Sequence, residues 1–158
     1  YAIGDVTGIK NLAHVAIVQG IIAAENCMGV NSQIDYRAIP SCIYTSPEIA
    51  SLGLTEKEAK TQNLEFQVGK YYFKANGRAH TNGTTDGFIK VIRGKKYDEI
   101  LGVHIVGPQA SELISEAVLA IRLEATTEEL ISTIHPHPTL SEGLFEAALA
   151  SMNKAIHS

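Results

Sequence analysis

The order of strand-like and helical segments is the feature that most constrains how this chain folds. Short strand-like runs come first, at 41–45, 49–54, 65–74, 87–93 and 99–106. Helical periodicity follows at 111–124, 127–132 and 141–155. Strands that precede helices in this way favour an α+β fold, in which an antiparallel β-sheet is backed by helices.

A short polar turn supports the antiparallel pairing. The turn Gly94-Lys95-Lys96 separates the runs at 87–93 and 99–106, so these two runs are predicted to pair as a hairpin. Earlier in the chain, residues 55–62 are predicted to interrupt the strands as a short, capped helix.

Residues 1–35 follow a different pattern. Residues 1–5 are predicted to end a β-strand, and residues 12–27 to form a helix that is apolar nearly all round. Such a helix belongs in the middle of a structure, so part of its surface is expected to lack its partner in this chain. Turn-forming residues at 29–32 mark a boundary. We therefore expect 1–35 to be the trailing segment of a truncated domain, and 36–158 to form a second domain.

Composition and charge exclude several classes of function. The 158 residues are 45% hydrophobic and 19% charged, which fits a soluble globular protein. A net charge of −4 without a Lys/Arg cluster argues against a nucleic-acid partner. The longest apolar run is shorter than the roughly 20 residues that cross a bilayer, so no membrane partner is expected. Cys27 and Cys42 lack C-x-x-C and C-x4-C spacing and are predicted to be small buried side chains in a reducing compartment.

The octapeptide HPHPTLSE at 135–142 is the strongest candidate for a functional site. Pro136 and Pro138 push the residues before them, His135 and His137, into extended backbone. A histidine held rigidly just before a helix is well placed to act as a general base.

The acidic end of this octapeptide has two interpretations. Thr139 is predicted to cap the following helix, with Glu142 in its first turn as the residue that orients His137. Thr139 and Glu142 also form a T-x-x-E capping box, like those at 55–58 and 126–129. A capping Glu needs no catalytic role, so the pattern alone leaves both interpretations open.

The octapeptide resembles the C-terminal active-site signature of the dihydrolipoamide dehydrogenases, H-A-H-P-T-L-[SG]-E, in the pyridine nucleotide-disulfide oxidoreductase family. Other segments agree with that family in the same order: YAIGDV, NLAHVA, IPSCIYTSPEIASLG, ANGRAHTNGTTDGFIKV and LGVHIVGPQASELISEA. The resemblance covers essentially the whole chain. It departs at Pro136, where Ala is usual, and at Ser46, where His or Asp is usual, and neither position is assigned chemistry.

The resemblance implies that the chain is the interface, or dimerisation, part of a longer flavoenzyme, preceded by a strand-helix remnant of its FAD-binding domain. The family's C-x4-C redox disulfide and its G-x-G-x-x-G fingerprints are not in this sequence. The parent enzyme is expected to use FAD and NAD and to be a homodimer. The chain alone is expected to bind no cofactor and to be inactive.

The resemblance also implies roles for individual residues. His137 would be the base that takes a proton from dihydrolipoamide, with Glu142 as its orienter, and this dyad would enter the active site of the other subunit. Asp5 would hydrogen-bond the ribityl chain of FAD. Backbone N–H groups at the start of the first helix would face the pyrimidine edge of the flavin. The residues of that helix start are Asn11, Leu12, Ala13 and His14.

The implied activity is the oxidation of protein-bound dihydrolipoamide with NAD. The expected partners are lipoyl domains of 2-oxo acid dehydrogenase complexes or of the glycine cleavage system, in the cytoplasm or the mitochondrial matrix. Two alternatives remain: a sibling reductase that acts on another thiol such as glutathione, and a chain that is only a dimerisation module. His135 is expected to be structural. No metal site is expected, because the H-x-H pattern lacks further ligands.

Overall fold

A computed structural model describes residues 1–157 of the chain. They form two compact units, Tyr1–Ile39 and a larger unit that begins at Pro40. Within residues 1–157, no helix is long and apolar enough to cross a membrane. The predicted assignment of 1–35 to a separate, truncated domain stays a prediction.

The first unit is built around helix α1, Ala13–Cys27. The predicted strand at 1–5 is wrong: Gly4–Thr7 is a short 3-10 helix. A strand needs a hydrogen-bonded neighbour, and this unit contains no strand within its described residues. Gln19 of α1 is buried, and its Oε1 accepts a 2.6 Å hydrogen bond from the Gly4 N–H. That bond ties the 3-10 segment to the helix.

Most apolar side chains of α1 lie on its outer surface. Val15 is buried, whereas Ile17 and Ile21 are exposed. Cys27, which the sequence predicted to be buried, is exposed at the end of the same helix, while Cys42 is half-buried; both are free thiols. The prediction failed for Cys27 because a small apolar side chain is buried only where a second element covers it, and a helix pattern does not tell which side is covered.

The second unit is a five-stranded antiparallel sheet with the strand order β1-β2-β5-β4-β3. The strands are β1 Ser41–Ile43, β2 Glu48–Gly53, β3 Phe66–Tyr72, β4 Phe88–Gly94 and β5 Ile100–Gly107. The predicted hairpin is confirmed as β4 and β5. One face of the sheet is buried, and it carries Ala50, Leu52, Tyr71, Ile89, Val91, Val103 and Ile105.

Helices cover this buried face. The helices of the unit are α2 Glu56–Thr61, α3 Gly77–Asn82, α4 Ala110–Arg122, α5 Thr127–Ser132 and α6 Glu142–Ser151. Helix α4 packs against β2 and β5, α6 against β3 and β4, and α5 against α6. The predicted α+β fold, an antiparallel sheet backed by helices, is thus confirmed. Helix α3 was not predicted from the sequence, although it has two local signals: the N-cap Asn76, and Gly83 in left-handed backbone just after the helix.

A side chain from the sheet fixes the start of α4. The carboxylate of Glu48 on β2 accepts hydrogen bonds from the Ser111 N–H at 2.9 Å and from the Ser111 hydroxyl at 2.8 Å. The N–H bond, followed by the hydroxyl bond, lowers the pKa of Glu48. The cap of α4 therefore comes from 63 residues earlier in the chain rather than from its own first turn.

Candidate active site

The loop between α5 and α6 carries the histidines of the octapeptide. The Nδ1 atom of His137 lies 2.8 Å from Oε1 of Glu142, the first residue of α6. The His137 side chain is 77% exposed, and its Nε2 has no hydrogen-bond partner within residues 1–157. The structure therefore brings together the two residues that the sequence proposed as a base and its orienter.

The electrostatics of Glu142 set the tautomer of His137. Burial acts to raise the pKa of Glu142, but the hydrogen bonds from the Thr139 N–H and from the His137 ring outweigh it, and the pKa lies below its ordinary value of 4.5. Near neutral pH the carboxylate is ionised and can only accept hydrogen bonds. The His137 Nδ1 must therefore donate, and when the ring is neutral its exposed Nε2 carries the lone pair of a base.

The capping interpretation of Thr139 and Glu142 is correct only in part. The other two boxes are complete: Thr55 with Glu58, and Thr126 with Glu129, each exchange both capping hydrogen bonds. At the third site Glu142 does accept the Thr139 N–H, at 2.7 Å through Oε2, but its other oxygen bonds His137. In this box the carboxylate of Glu142 is thus shared between the backbone of Thr139 and the ring of His137.

Thr139 is not the N-cap that the sequence predicted. Helix α6 begins at Glu142, and its N-cap Ser141 makes no side-chain capping bond. The physical reason is that the Thr139 hydroxyl is used elsewhere: Oγ1 donates to the carbonyl of Pro136 at 2.7 Å and lies 2.9 Å from the hydroxyl of Ser141. Thr139 closes the loop on itself instead of capping the helix.

Asn76 ties the same loop to α3. Its Nδ2 donates to the carbonyl of Thr139 at 3.0 Å, while its Oδ1 accepts the Ala79 N–H at 2.9 Å as the cap of α3. Asn76 is buried, and the neighbouring Leu140 is a buried anchor of the loop in the core. Asn76 was not predicted to be part of this site, because its partner Thr139 lies 63 residues away and no local sequence pattern connects the two.

His135 has an environment unlike that of His137. Its side chain is only 7% exposed, and its Nε2 lies 2.8 Å from Oε1 of Glu116 on α4. Its Nδ1 meets the carbonyl of Thr133 at 3.0 Å, and its ring packs near Phe145. With both ring nitrogens occupied, His135 has no atom available to act as a base. No group of three or more His, Cys, Asp or Glu that could hold a metal occurs among residues 1–157.

The residues assigned to the flavin all lie in the first unit. Asp5 lies in the Gly4–Thr7 3-10 helix and is exposed. Helix α1 begins after Leu12, which makes no side-chain cap, and the flanking residues Asn11, Ala13 and His14 are exposed. An accessible carboxylate and a helix start without a side-chain cap are groups that suit a hydroxyl-bearing, anionic cofactor such as FAD.

Comparison with known proteins identifies relatives along nearly the whole chain. The family model described as the pyridine nucleotide-disulphide oxidoreductase dimerisation domain matches residues 39–148. The dihydrolipoyl dehydrogenase of Bacillus subtilis is 53% identical over 99% of this chain and 33% of its own length. The mitochondrial dihydrolipoyl dehydrogenase of Sus scrofa is 48% identical over 99% of this chain and 31% of its own length.

A solved structure agrees with the fold described above. The crystal structure of LpdA from Mycobacterium tuberculosis superposes with a TM-score of 0.88 at 33% identity, over 94% of this chain and 32% of that one. The chain therefore spans about a third of the length of the curated relatives that it matches, 33% and 31% for the two above.

Proposed function

Since this chain belongs to the pyridine nucleotide-disulphide oxidoreductases through their dimerisation domain, we propose that it serves an enzyme that oxidises protein-bound dihydrolipoamide with NAD. The relatives at 53% and 48% identity, both dihydrolipoyl dehydrogenases, favour this substrate over glutathione. In this proposal the chain contributes the base dyad and the dimer contact, and the remaining chemistry resides in parts of the enzyme outside this sequence.

The observation that carries the proposal is the 2.8 Å contact between His137 Nδ1 and Glu142 Oε1, with Nε2 exposed. His137 Nε2 takes the proton of one dihydrolipoyl thiol, and the thiolate that forms is the species able to attack a disulfide. Glu142 stabilises the imidazolium that results and holds the ring in one tautomer. The proton later leaves from the same Nε2, which restores the base.

The first unit would contribute to cofactor binding. FAD, when bound, would supply the two-electron relay from the redox disulfide to NAD. The carboxylate of Asp5 would accept a hydrogen bond from a ribityl hydroxyl. The backbone at the start of α1 would face the electron-rich edge of the ring system. The residues of this start are Asn11, Leu12, Ala13 and His14.

A homodimer is the proposed assembly, and one surface of the second unit supports it. A groove lies between α4, α5 and the loop that connects α5 to α6 and carries His137. It is lined by apolar side chains, among them Leu119, Leu123, Leu130 and Ile134. Ile134 is 95% exposed and Leu123 is 70% exposed. Large apolar side chains exposed side by side mark an interaction surface. The lipoyl domains of 2-oxo acid dehydrogenase complexes, or of the glycine cleavage system, are the proposed substrates of the dimer.

The experiment compares two activities of the full enzyme that carries this sequence. His137→Gln should slow oxidation of the lipoyl dithiol by roughly 100- to 10,000-fold, the usual range for loss of a general base. Glu142→Gln should cost less, because the imidazole remains. Electron transfer from NADH to an artificial dye does not require this base and should survive in both variants.

Equal losses in the two assays, together with lower thermal stability, would contradict the proposal. They would mean that Glu142 acts only as the acceptor of the Thr139 N–H, and leaving that donor without a partner costs about 1–3 kcal/mol. A matched control is Glu129→Gln, which removes a capping carboxylate that bonds no histidine. It should lower the free energy of unfolding without separating the two activities.

A further inference from the structure

The first histidine of the octapeptide, His135, faces hydrogen-bond acceptors on both sides of its ring. The carbonyl oxygen of Thr133 lies 3.0 Å from the Nδ1 of His135, and the carboxylate oxygen of Glu116 lies 2.8 Å from its Nε2. A carbonyl oxygen has no proton to donate, so Nδ1 must carry one. A second proton must then lie between Nε2 and the Glu116 carboxylate, because two acceptors without a proton would repel each other.

The contact is enclosed on the histidine side. The His135 side chain is only 7% exposed, whereas the Glu116 side chain is 33% exposed. A ring nitrogen buried to this extent needs a hydrogen-bond partner, and the Glu116 carboxylate is the partner of Nε2.

We propose that the hydrogen-bonded pair of Glu116 and His135 positions the base His137. The pair joins α4 to the loop that bears the base, so Glu116 and His135 are positioning residues rather than catalytic ones. This inference rests on the proposed function, which assigns the proton transfer to His137.

The chain between the two histidines transmits the restraint. Only Pro136 separates them, and its ring fixes its own φ angle. The carbonyl of Pro136 accepts the Thr139 hydroxyl at 2.7 Å, and the Thr139 N–H in turn bonds the carboxylate that holds His137. Freeing His135 from α4 would therefore loosen one end of a closed set of hydrogen bonds around the base. Misplacement of a reacting group by about 1 Å can cost as much as 100-fold in rate.

The first test reads the environment of both histidine rings directly. The 158-residue chain is labelled with ¹⁵N-histidine, and long-range ¹H–¹⁵N spectra are recorded, with His135→Gln and His137→Gln used to assign the signals. In Glu116→Gln the ring signals of His135 should move, because Nε2 loses its carboxylate partner. The ring signals of His137 should move with them, because its restraint is loosened. Unchanged His137 signals in Glu116→Gln would overturn the proposal.

The second test measures the effect on the base in the full enzyme. Glu116→Gln should lower kcat for lipoyl-dithiol oxidation by roughly 10- to 100-fold, with little change in KM, since geometry at the reacting atom is altered rather than substrate binding. NADH-to-dye activity should remain. The control Glu112→Gln changes an exposed carboxylate one turn earlier on α4 and should leave both activities unaltered.

The outcomes separate this inference from the function on which it rests. If His137→Gln slows lipoyl oxidation and Glu116→Gln does not, the positioning role is wrong while the function stands. If neither variant affects lipoyl oxidation selectively, both are wrong. A selective loss in Glu116→Gln that accompanies the change in the His135 spectrum supports the inference.

Discussion

The side chain of Asn76 hydrogen-bonds the main chain of Thr139 at 3.0 Å, although 63 residues separate them. This contact holds α3 against the loop that precedes α6. The same amide caps α3 through its oxygen. One buried side chain therefore stabilises two segments. Loss of either hydrogen bond would leave a polar backbone group, the Thr139 carbonyl or the Ala79 N–H, without that partner.

Replacing Asn76 by Ala should lower the free energy of unfolding by about 1–3 kcal/mol, because a helix cap is lost and the carbonyl of Thr139 loses its donor. Urea denaturation measures this difference. Asn82→Ala, an exposed position at the end of the same helix, is the matched control and should change stability much less. Equal effects of the two substitutions would show that neither the cap of α3 nor the Thr139 contact contributes to stability.

Gly69 of β3 marks the closest approach between the sheet and α6. A Cβ at this position would lie 2.0 Å from the carbonyl oxygen of Ala147 and 2.2 Å from the N of Ser151. Gly69→Ala must therefore push α6 away from the sheet, and we expect it to destabilise the chain by about 3 kcal/mol or more. Gly77→Ala, which meets nothing within 4 Å at the start of α3, should be neutral or slightly stabilising. Thermal unfolding of both variants tests the pair.

The pH dependence of stability should report on His104. Burial lowers the pKa of His104 below its ordinary value of 6.5 and outweighs the hydrogen bond to the Leu54 carbonyl, and the charge of Lys90 lowers it further. The unfolded chain therefore binds a proton at a higher pH than the folded chain does. The stability that neutral His104 contributes is complete above pH 6.5 and is lost as the pH falls towards the folded pKa.

His104→Gln, which keeps a donor for Leu54, should flatten this part of the stability profile. The urea midpoint of each protein is measured at a series of pH values between neutral and mildly acidic. His80→Gln changes an exposed histidine of α3 and should leave the slope as it is. An unchanged slope in His104→Gln would mean that another group causes it.

The proposed dimer predicts a specific effect at Ile134. We expect the chain to form a two-fold dimer, and a charge in its apolar groove should weaken it, because a C2 contact places the same change in the interface twice. Ile134→Asp should shift the mass measured by light scattering towards the monomer. Ile156→Asp alters another exposed isoleucine, in the C-terminal segment, and should not shift the mass. A strict monomer of the unsubstituted chain at high concentration would contradict the dimer.

Local patterns predicted much of this fold. The β4–β5 hairpin and the Thr55 and Thr126 capping boxes depend on residues close together in the sequence, and all three are confirmed. The predicted strand at 1–5 failed because a strand requires a partner that local sequence does not supply.

The candidate site was also predicted only in part, because some of its contacts join residues close in the sequence and others join residues far apart. His137 and Glu142 are five residues apart, so the motif itself shows that they can meet. Glu116 lies 19 residues from His135, and Asn76 lies 63 residues from Thr139. No local sequence pattern links the two residues of either contact, so neither contact can be predicted from a single sequence. Thr139 was predicted to be a cap from the T-x-x-E pattern alone. That pattern does not show that the Thr139 hydroxyl bonds the carbonyl of Pro136 instead of the helix.

The loop uses the carbonyl of Pro136 rather than its ring to hold Thr139. Every amino acid supplies that carbonyl, so an alanine at position 136 could make the same bond. The side chain at this position lines the groove instead. A different residue at 136 could therefore change the surface of the groove and still close the loop beside the base through the same carbonyl.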